Sequence, residues 1–204
     1  MSIEKLLTET RVALIINEMQ VGNLMMLPAL KQEIERRQTA QHIATLANKF
    51  REKKLPVFHT PAMHRPDYAD VKRNTLITAL MLKSRAMIAG TEQVAFVEGL
   101  EPQPEDFVSA RSSGLFAFQG TDLDARLRRM GVETIIAAGV STNLGIPAIA
   151  IAATDLAYNV IVAEDCIAGA NQQVHETLIR EQLRMVASIT TSAEVMALLD
   201  ARPN

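Results

Sequence analysis

The stretch Glu133–Asp165, ETIIAAGVSTNLGIPAIAIAATDLAYNVIVAED, decides the fold. It opens on an apolar run, Glu133 to Val140, and closes on another, Asn159 to Asp165, with a helical pattern over Asn143–Ala157 between them. Runs that are apolar on both faces are the mark of strands buried between two helical layers, whereas a strand with one wet face alternates. Strand, helix and strand in that order give a parallel pair with the helix packed across it. Gly145 stands where the chain turns from the first strand into the helix, a common mounting point for a nucleophile in α/β enzymes. Glycine has nothing to react there. It lets a backbone or ligand come close and leaves main-chain N–H groups free for an oxyanion.

The same alternation extends outward in both directions. Further short apolar runs are RVALIIN (Arg11 to Asn17), LPVFHT (Leu55 to Thr60), DFVSA (Asp106 to Ala110) and ASITT (Ala187 to Thr191). Helical patterns cover Pro28–Lys53, Thr121–Met130, Asn171–Met185 and Ser192–Leu199. Local chemistry marks the boundaries: Pro28 suits a first helical turn, Thr121 caps a turn rich in acids, and Gly131 closes a helix ending in Arg128 and Arg129. Between Ala62 and Gly99, polar HRPDYADVKRNT and apolar LITALMLKSRAMI predict a loop with one or two short helices. A long loop in a compact domain is often a functional cover.

The 204 residues suffice for one sizeable core and nothing calls for a second, so residues 1–204 are read as one domain. A formal net charge of −2 and no Trp supply neither the field nor the stacking platforms of a nucleic-acid binder. The longest apolar stretch, Leu144 to Ala153, is about half of the ~20 residues a membrane-spanning helix requires. Neither nucleic acid nor membrane is expected as a partner. The single cysteine, Cys166, excludes an internal disulfide, and MSIEKLLTET has no signal-peptide run, so a cytoplasmic location is expected.

In an open parallel sheet, ligands bind beyond the carboxyl ends of the strands, near the point where strand order reverses. That confines the candidates to Asn17, Glu18 and Gln20; His59 to His64; Arg111 to Ser113; Val140 to Gly145; and Asp165 to Ala168. Glu18 is a carboxyl at the end of a buried strand, where partial desolvation would raise its pKa and suit it to acid–base work; a solvated or capping acid is the alternative. Arg111 is placed to grip a substrate carboxylate with two N–H groups, or else lies on the surface. Ser112 and Ser113 lack an evident base, which favours turn hydrogen bonds over nucleophilic use. His59 and His64, without a third ligand at matching spacing, make a poor metal signature, and neither metal nor cofactor is expected. His42 and His175 read as surface or packing residues, and Cys166 as a small buried residue before a reactive thiol.

Several of these segments carry a family resemblance. ALIINEMQ resembles the first-strand motif of the isochorismatase-like hydrolase superfamily, a hydrophobic run ending Asp-Met-Gln. FAFQGTDLDARLRRMGVETIIAAGVSTN is similar to that superfamily's Ser-Ala-Phe-x-Gly-Thr-x-Leu to Gly-Val-x-Thr-Asn segment, and ATDLAYNVIVAEDCIAG to the helix end and strand beyond that segment. The resemblance covers Arg11 to Ala170, the middle loop apart. Most members are cysteine hydrolases that act on amides through an Asp–Lys–Cys triad. The resemblance puts Glu18 at the aspartate, Arg111 or Ser112 at the lysine according to the flank aligned, and Gly145 at the cysteine, so that all three are replaced. True isochorismatases also resemble GVSTNLG, with glycine in place of the nucleophile; they protonate a vinyl ether with the first-strand carboxyl, and water completes the reaction. If Ser112 holds the lysine position, a neighbouring cation is lost and the Glu18 carboxyl would titrate higher. Two departures count against that chemistry. Glutamate reaches roughly 1 Å further than aspartate, beyond the ~0.5 Å tolerance of a catalytic group, and Met63 stands where those enzymes hold substrate with a glutamine.

The expected fold is a three-layer, Rossmann-like α/β domain with a six-stranded parallel sheet in the order 3-2-1-4-5-6 and helices on both faces. Arg111 points to a small, anionic substrate, and the resemblance implies a homodimer or larger homo-oligomer. The expected catalytic set is Glu18 as general acid or base with Arg111, Ser112 and Gly145; Gln20, Met63, Phe116, Ser141, Asn143 and Leu144 are expected to contact substrate. The alternative is a homologue that kept the fold and lost the chemistry, acting as a binding or assembly protein. A pocket filled by Met63, Phe116 or Leu144 would favour it, and an open polar pocket would favour an enzyme.

Overall fold

The computed structural model describes residues 1–202. Six parallel strands, β1 (Val12–Asn17), β2 (Val57–Thr60), β3 (Phe107–Val108), β4 (Thr134–Val140), β5 (Asn159–Ala168) and β6 (Ser188–Thr190), form one sheet in the order β3-β2-β1-β4-β5-β6. The helices are α1 (Ile3–Glu9), α2 (Val21–Met26), α3 (Pro28–Arg36), α4 (Thr39–Glu52), α5 (Leu76–Ser84), α6 (Leu123–Arg129), α7 (Gly145–Asp155), α8 (Gln172–Glu181) and α9 (Ser192–Asp200). The expected fold class and strand order hold.

Every residue of β1 and β4 is buried, and the two-residue period of a strand sorts them between two cores. Leu14, Ile16, Ile136 and Ala138 pack with Leu46 and Phe50 of α4 and with Val195 of α9. Ala13, Ile15, Ile135 and Ala137 pack on the other face, with Leu127 of α6 and Ile146 and Ile149 of α7. Each fully buried Leu, Ile or Phe stabilises by about 1.5–3 kcal/mol, so the doubly buried central strands carry much of the fold. Their carboxyl ends are thereby fixed, and those ends hold the site.

Several boundaries differ from the sequence expectation, α7 being two residues shorter at each end than Asn143–Ala157. Residues 28–53 form two helices and not one, because Gln38 takes a left-handed backbone (φ +53°) between α3 and α4. No Gly or Pro marks the break; the neighbouring Arg37 guanidinium reaches across to the carbonyls of Glu164 and Ile167 at 2.8 and 3.3 Å, a tertiary contact. Neither α1 nor α2 was anticipated; the Ser2 hydroxyl caps α1, which buries Leu6 and Leu7, and α2 follows directly on Gln20. The expected helix over Asn171–Met185 divides into α8 and a 3-10 turn at Leu183–Met185, and α6 starts at Leu123, whose N–H the Thr121 hydroxyl accepts at 3.3 Å. Within residues 62–99 lie α5 and one 3-10 turn, Glu92–Val94, as the pattern predicts. Among the described residues no helix is long and apolar enough to cross a membrane.

Candidate active site

At the carboxyl edge of the sheet, Asn17 ties three strands together. Its Oδ1 accepts from the Thr60 hydroxyl at 2.9 Å and its Nδ2 donates to the Val140 carbonyl. The approach demands glycine twice. A Cβ on Gly139 (φ +103°) would lie 2.2 Å from the Asn17 carbonyl oxygen; one on Gly145 would lie 2.4 Å from Asn17 Nδ2 and 2.6 Å from the Val140 carbonyl oxygen. Side chains essentially never approach so closely, so the turn at Gly145 has no room for a nucleophile while Asn17 keeps its bonds.

The chain leaves β1 through Glu18, a non-glycine residue in the left-handed region (φ +51°). Its carbonyl accepts from Gln20 N–H at 2.8 Å and Asn23 Nδ2 at 2.9 Å, which holds this costly backbone in place. Its carboxylate pairs with Arg111 Nη2. Arg111 lies beyond β3 and continues the parallel pairing with the chain leaving β2: its N–H donates to the Pro61 carbonyl and its carbonyl accepts from Met63 N–H, both at 3.0 Å. The side chain is 5% exposed, its Nε donates to the Gly114 carbonyl at 3.2 Å, and Nη1 is buried with no acceptor among the described residues. Burial pulls the guanidinium down to about 10, which leaves it a cation at neutral pH.

Arg111, and not Ser112, therefore faces Glu18. Ser112 turns its side chain to solvent, and its carbonyl accepts from His64 Nδ1 at 2.6 Å. The reason is the register of the β2–β3 edge, which points residue 111 inward and residue 112 out. A positive charge thus remains beside the carboxyl, and a pKa raised by loss of that charge has no basis here.

Glu18, Arg111, Ser141 and Gly145 border a cavity of ≈ 420 Å³. Its walls are chiefly apolar: Met26 of α2, Leu27 between α2 and α3, Leu30 of α3, and Met81 and Met87 in and after α5. Of the expected contact residues, Phe116, Ser141 and Leu144 line it, with Phe116 and Leu144 partly exposed and not filling it. Three others do not. Met63 lies between Ala62 and His64, which do line the cavity; two-residue alternation of extended chain sends the intervening side chain elsewhere. Gln20 is fully buried and clamps the cover, its Oε1 accepting from Ala62 N–H at 2.8 Å and its Nε2 donating to the Ala62 and Val94 carbonyls at 3.0 and 3.2 Å. Asn143 is bound to the loop after β5, its Oδ1 accepting from Ala170 N–H at 2.7 Å. The N–H groups of Leu144 and Ile146 both go to the Ser141 carbonyl, at 3.1 and 3.0 Å. Among the described residues Gly145 N–H, between them, has no acceptor.

The remaining candidates lie outside the cavity. His59 is buried 3.1 Å from Asp106, which also takes Arg51; burial alone would raise that carboxyl, but the bonds from His59 and Arg51 outweigh it and hold it well below the usual range. Asp165 accepts from the N–H and hydroxyl of Ser192, and His42 stands 3.5 Å from it. Cys166 is fully buried, and burial pushes its thiol far up. His175 is a packing residue: Nδ1 meets the Thr142 hydroxyl at 2.9 Å, and burial pushes its pKa down to about 4. Among the described residues no three His, Cys, Asp or Glu are grouped to hold a metal ion. The sequence reading missed Asp70, which lines the cavity opposite the strand ends; the polar HRPDYAD run in the predicted cover was its only signal.

Known proteins share this architecture. The chain is 36% identical over 83 residues to an uncharacterized isochorismatase family protein, YecD, of Escherichia coli O157:H7, a match covering 41% of this chain and 44% of that protein. It is 28% identical over 113 residues to a maleamate amidohydrolase of Pseudomonas putida, covering 55% and 53%. The chain thus spans about half the length of the curated relatives it matches. The crystal structure of an isochorismatase family protein from Desulfovibrio vulgaris superposes with a TM-score of 0.81 at 29% identity, over 94% of this chain and 99% of that one. The isochorismatase domain model matches residues 12–194, from the first residue of β1 into α9, and the chain belongs to the isochorismatase family.

Proposed function

We propose that the chain is a hydrolase that works without a cysteine, using Glu18 as its acid–base group and water as its nucleophile on a small anionic substrate. The observation that carries this reading is the Glu18–Arg111 pair at the base of an open cavity beside Gly145. Contact with a cation favours the ionised form of a carboxyl, so Glu18 acts first as a base. It takes a proton from water as the water oxygen attacks the substrate's acyl carbon, and Gly145 N–H donates to the oxygen that gains charge. Glu18 then returns the proton to the leaving group as its bond to carbon breaks, so one water is consumed and the enzyme is regenerated. The Arg111 guanidinium, which lines the cavity beside Glu18, attracts the anionic group. The similarity to an amidohydrolase supports a hydrolytic reaction.

Purified protein offered small anionic amides, with ammonia as readout, tests the reading; isochorismate, whose vinyl ether must be protonated rather than attacked at an acyl carbon, is the contrast, and pyruvate release from it would point to Glu18 as an acid. Glu18→Gln, whose amide oxygen still accepts from Arg111, is expected to lower turnover by roughly 10²–10⁴-fold in a protein that still unfolds cooperatively; full activity in that variant would falsify the mechanism. A second reading, ligand binding without turnover, is favoured by one observation: commitment of both Leu144 and Ile146 N–H groups to Ser141 leaves few donors for an oxyanion. Silence on every substrate, with ligands still bound, would select it.

A further inference from the structure

Of the four histidines, one is set apart by how its ring is held. His64 lines the cavity, and its Nδ1 lies 2.6 Å from the Ser112 carbonyl oxygen and 3.8 Å from an Asp70 carboxylate oxygen. A carbonyl only accepts, so Nδ1 carries the proton and the neutral ring keeps its lone pair on Nε2. That nitrogen makes no hydrogen bond among the described residues, yet it is not sealed in, as the orphaned Nδ1 of His59 and Nε2 of His175 are. The main chain anchors the residue: His64 N–H donates to the Met87 carbonyl at 2.7 Å, and its carbonyl accepts from Ala89 N–H at 2.8 Å. His42, the fourth, stands outside the cavity beside Asp165. An imidazole oriented through one nitrogen, with the other left bare, is equipped to attack an electrophile.

We infer that His64 Nε2 opens on the cavity and is a nucleophile there toward aryl esters, an activity that requires neither Glu18 as base nor an anionic substrate. The Nε2 lone pair attacks the acyl carbon, and the bond to the aryloxide breaks with its electron pair leaving on oxygen. The acylated ring is a cation, held by its Nδ1–H on the Ser112 carbonyl and by the nearby Asp70 carboxylate. Water then attacks the acyl carbon, the carbon–nitrogen bond breaks with its electrons returning to Nε2, and the proton that water sheds balances the aryloxide. One water is consumed, one acid and one phenol are released, and His64 is restored. Because Nδ1 keeps its proton and Nε2 has none to give, the leaving group must depart unprotonated, which selects aryl esters over amides. The apolar walls, Met26, Leu30, Met81 and Met87 among them, suit an aryl ring.

The whole chain with p-nitrophenyl acetate tests it. Release of p-nitrophenolate is expected to run about tenfold or more faster than with an equal concentration of free methylimidazole, a small part of what holding two reactants together can supply. His64→Asn keeps an amide N–H near the place of Nδ1, so the bond to Ser112 can persist while the nucleophile is gone; its rate is expected to fall to the methylimidazole level or below. His42→Gln is expected to react as the wild type does. If His64→Asn does not fold, chemical labelling replaces it. Diethyl pyrocarbonate, applied in the His42→Gln background and mapped by mass spectrometry, is expected to place its acyl group on His64, to abolish ester turnover in step, and to be reversed by hydroxylamine. A rate no greater than that of methylimidazole, full turnover in a folded His64→Asn, or labelling that leaves His64 unmodified would each overturn the inference. Ester cleavage through His64 with no amide hydrolysis keeps this inference and loses the Glu18 hydrolase; an amide hydrolase whose His64 takes no acyl group does the reverse.

Discussion

At position 145 the backbone has space for a hydrogen and nothing larger. The Asn17 amide and the Val140 carbonyl occupy the volume where a Cβ would stand, and the carbonyl cannot move without disturbing the end of β4. Gly145→Ala is therefore expected to destabilise by about 1–3 kcal/mol, as forced overpacking does, read as a lower denaturant midpoint at unchanged slope. Gly145→Cys is expected to cost at least as much and to give no thiol-dependent hydrolysis; amide turnover blocked by a thiol reagent in that variant would contradict this account. Arg111 is the second decisive residue. In the reaction we propose, its cation beside Glu18 keeps that carboxyl ionised as a base; its Nη1 is buried with no acceptor among the described residues. Both residues stood among the sequence candidates. Which of Arg111 and Ser112 turned inward was not legible, because the two flanking motifs give different alignments and only strand register decides the direction of a side chain.

At the scale of elements, the cover over the cavity is held by short main-chain bridges, Ala62 with Arg111, His64 with Ile88 and Gln20 with Phe96, and by one buried side chain. Gln20, at the start of α2, makes three hydrogen bonds to Ala62 and Val94, one at each end of the long segment that carries Asp70 and α5. Gln20→Leu removes them and leaves buried main-chain groups unpaired, at about 1–3 kcal/mol. Faster hydrogen exchange at residues 62–64 and 94–97, with the amides of β4 still protected, is the expected outcome; unchanged exchange there would show that the cover is held otherwise. The composition of this segment predicted a cover with short helices, and that is what forms. The contribution of α2 and α3 to the cavity wall was not foreseen, because the break at Gln38 that separates α3 from α4 rests on an arginine reaching another part of the fold.

For the whole molecule, buried titratable groups tie stability to pH. The unfolded His175 takes a proton below about 6.5 and the folded one only below about 4, so the unfolded chain binds more protons within that window. Stability is fully present above pH 6.5 and falls as the pH drops toward 4, by at most roughly 1.4 kcal/mol per pH unit from this residue. Comparing melting curves of wild type and His175→Gln across the window isolates the effect, and the variant is expected to show the shallower slope. Assembly is the other property at this scale. We propose a homodimer or larger homo-oligomer, for which light scattering should give a mass of at least twice 22.4 kDa; a monomer at micromolar concentration would refute it.

By itself the sequence determined the strands and their parallel α/β arrangement, the position of the strand ends, and the short set of residues from which Glu18, Arg111 and Gly145 came; the strand order rested on the family resemblance. The strands were legible because burial on both faces writes a continuous apolar run, and a glycine in a strand-to-helix turn marks a close approach. Tertiary structure alone decided that Arg111 faces Glu18, that Met63, Gln20 and Asn143 stay out of the cavity, and that Asp70 enters it. Those outcomes depend on register and on contacts between segments distant in the chain, such as Arg111 with Glu18 or His64 with Ser112, and no local pattern of residues encodes which partner a side chain will meet.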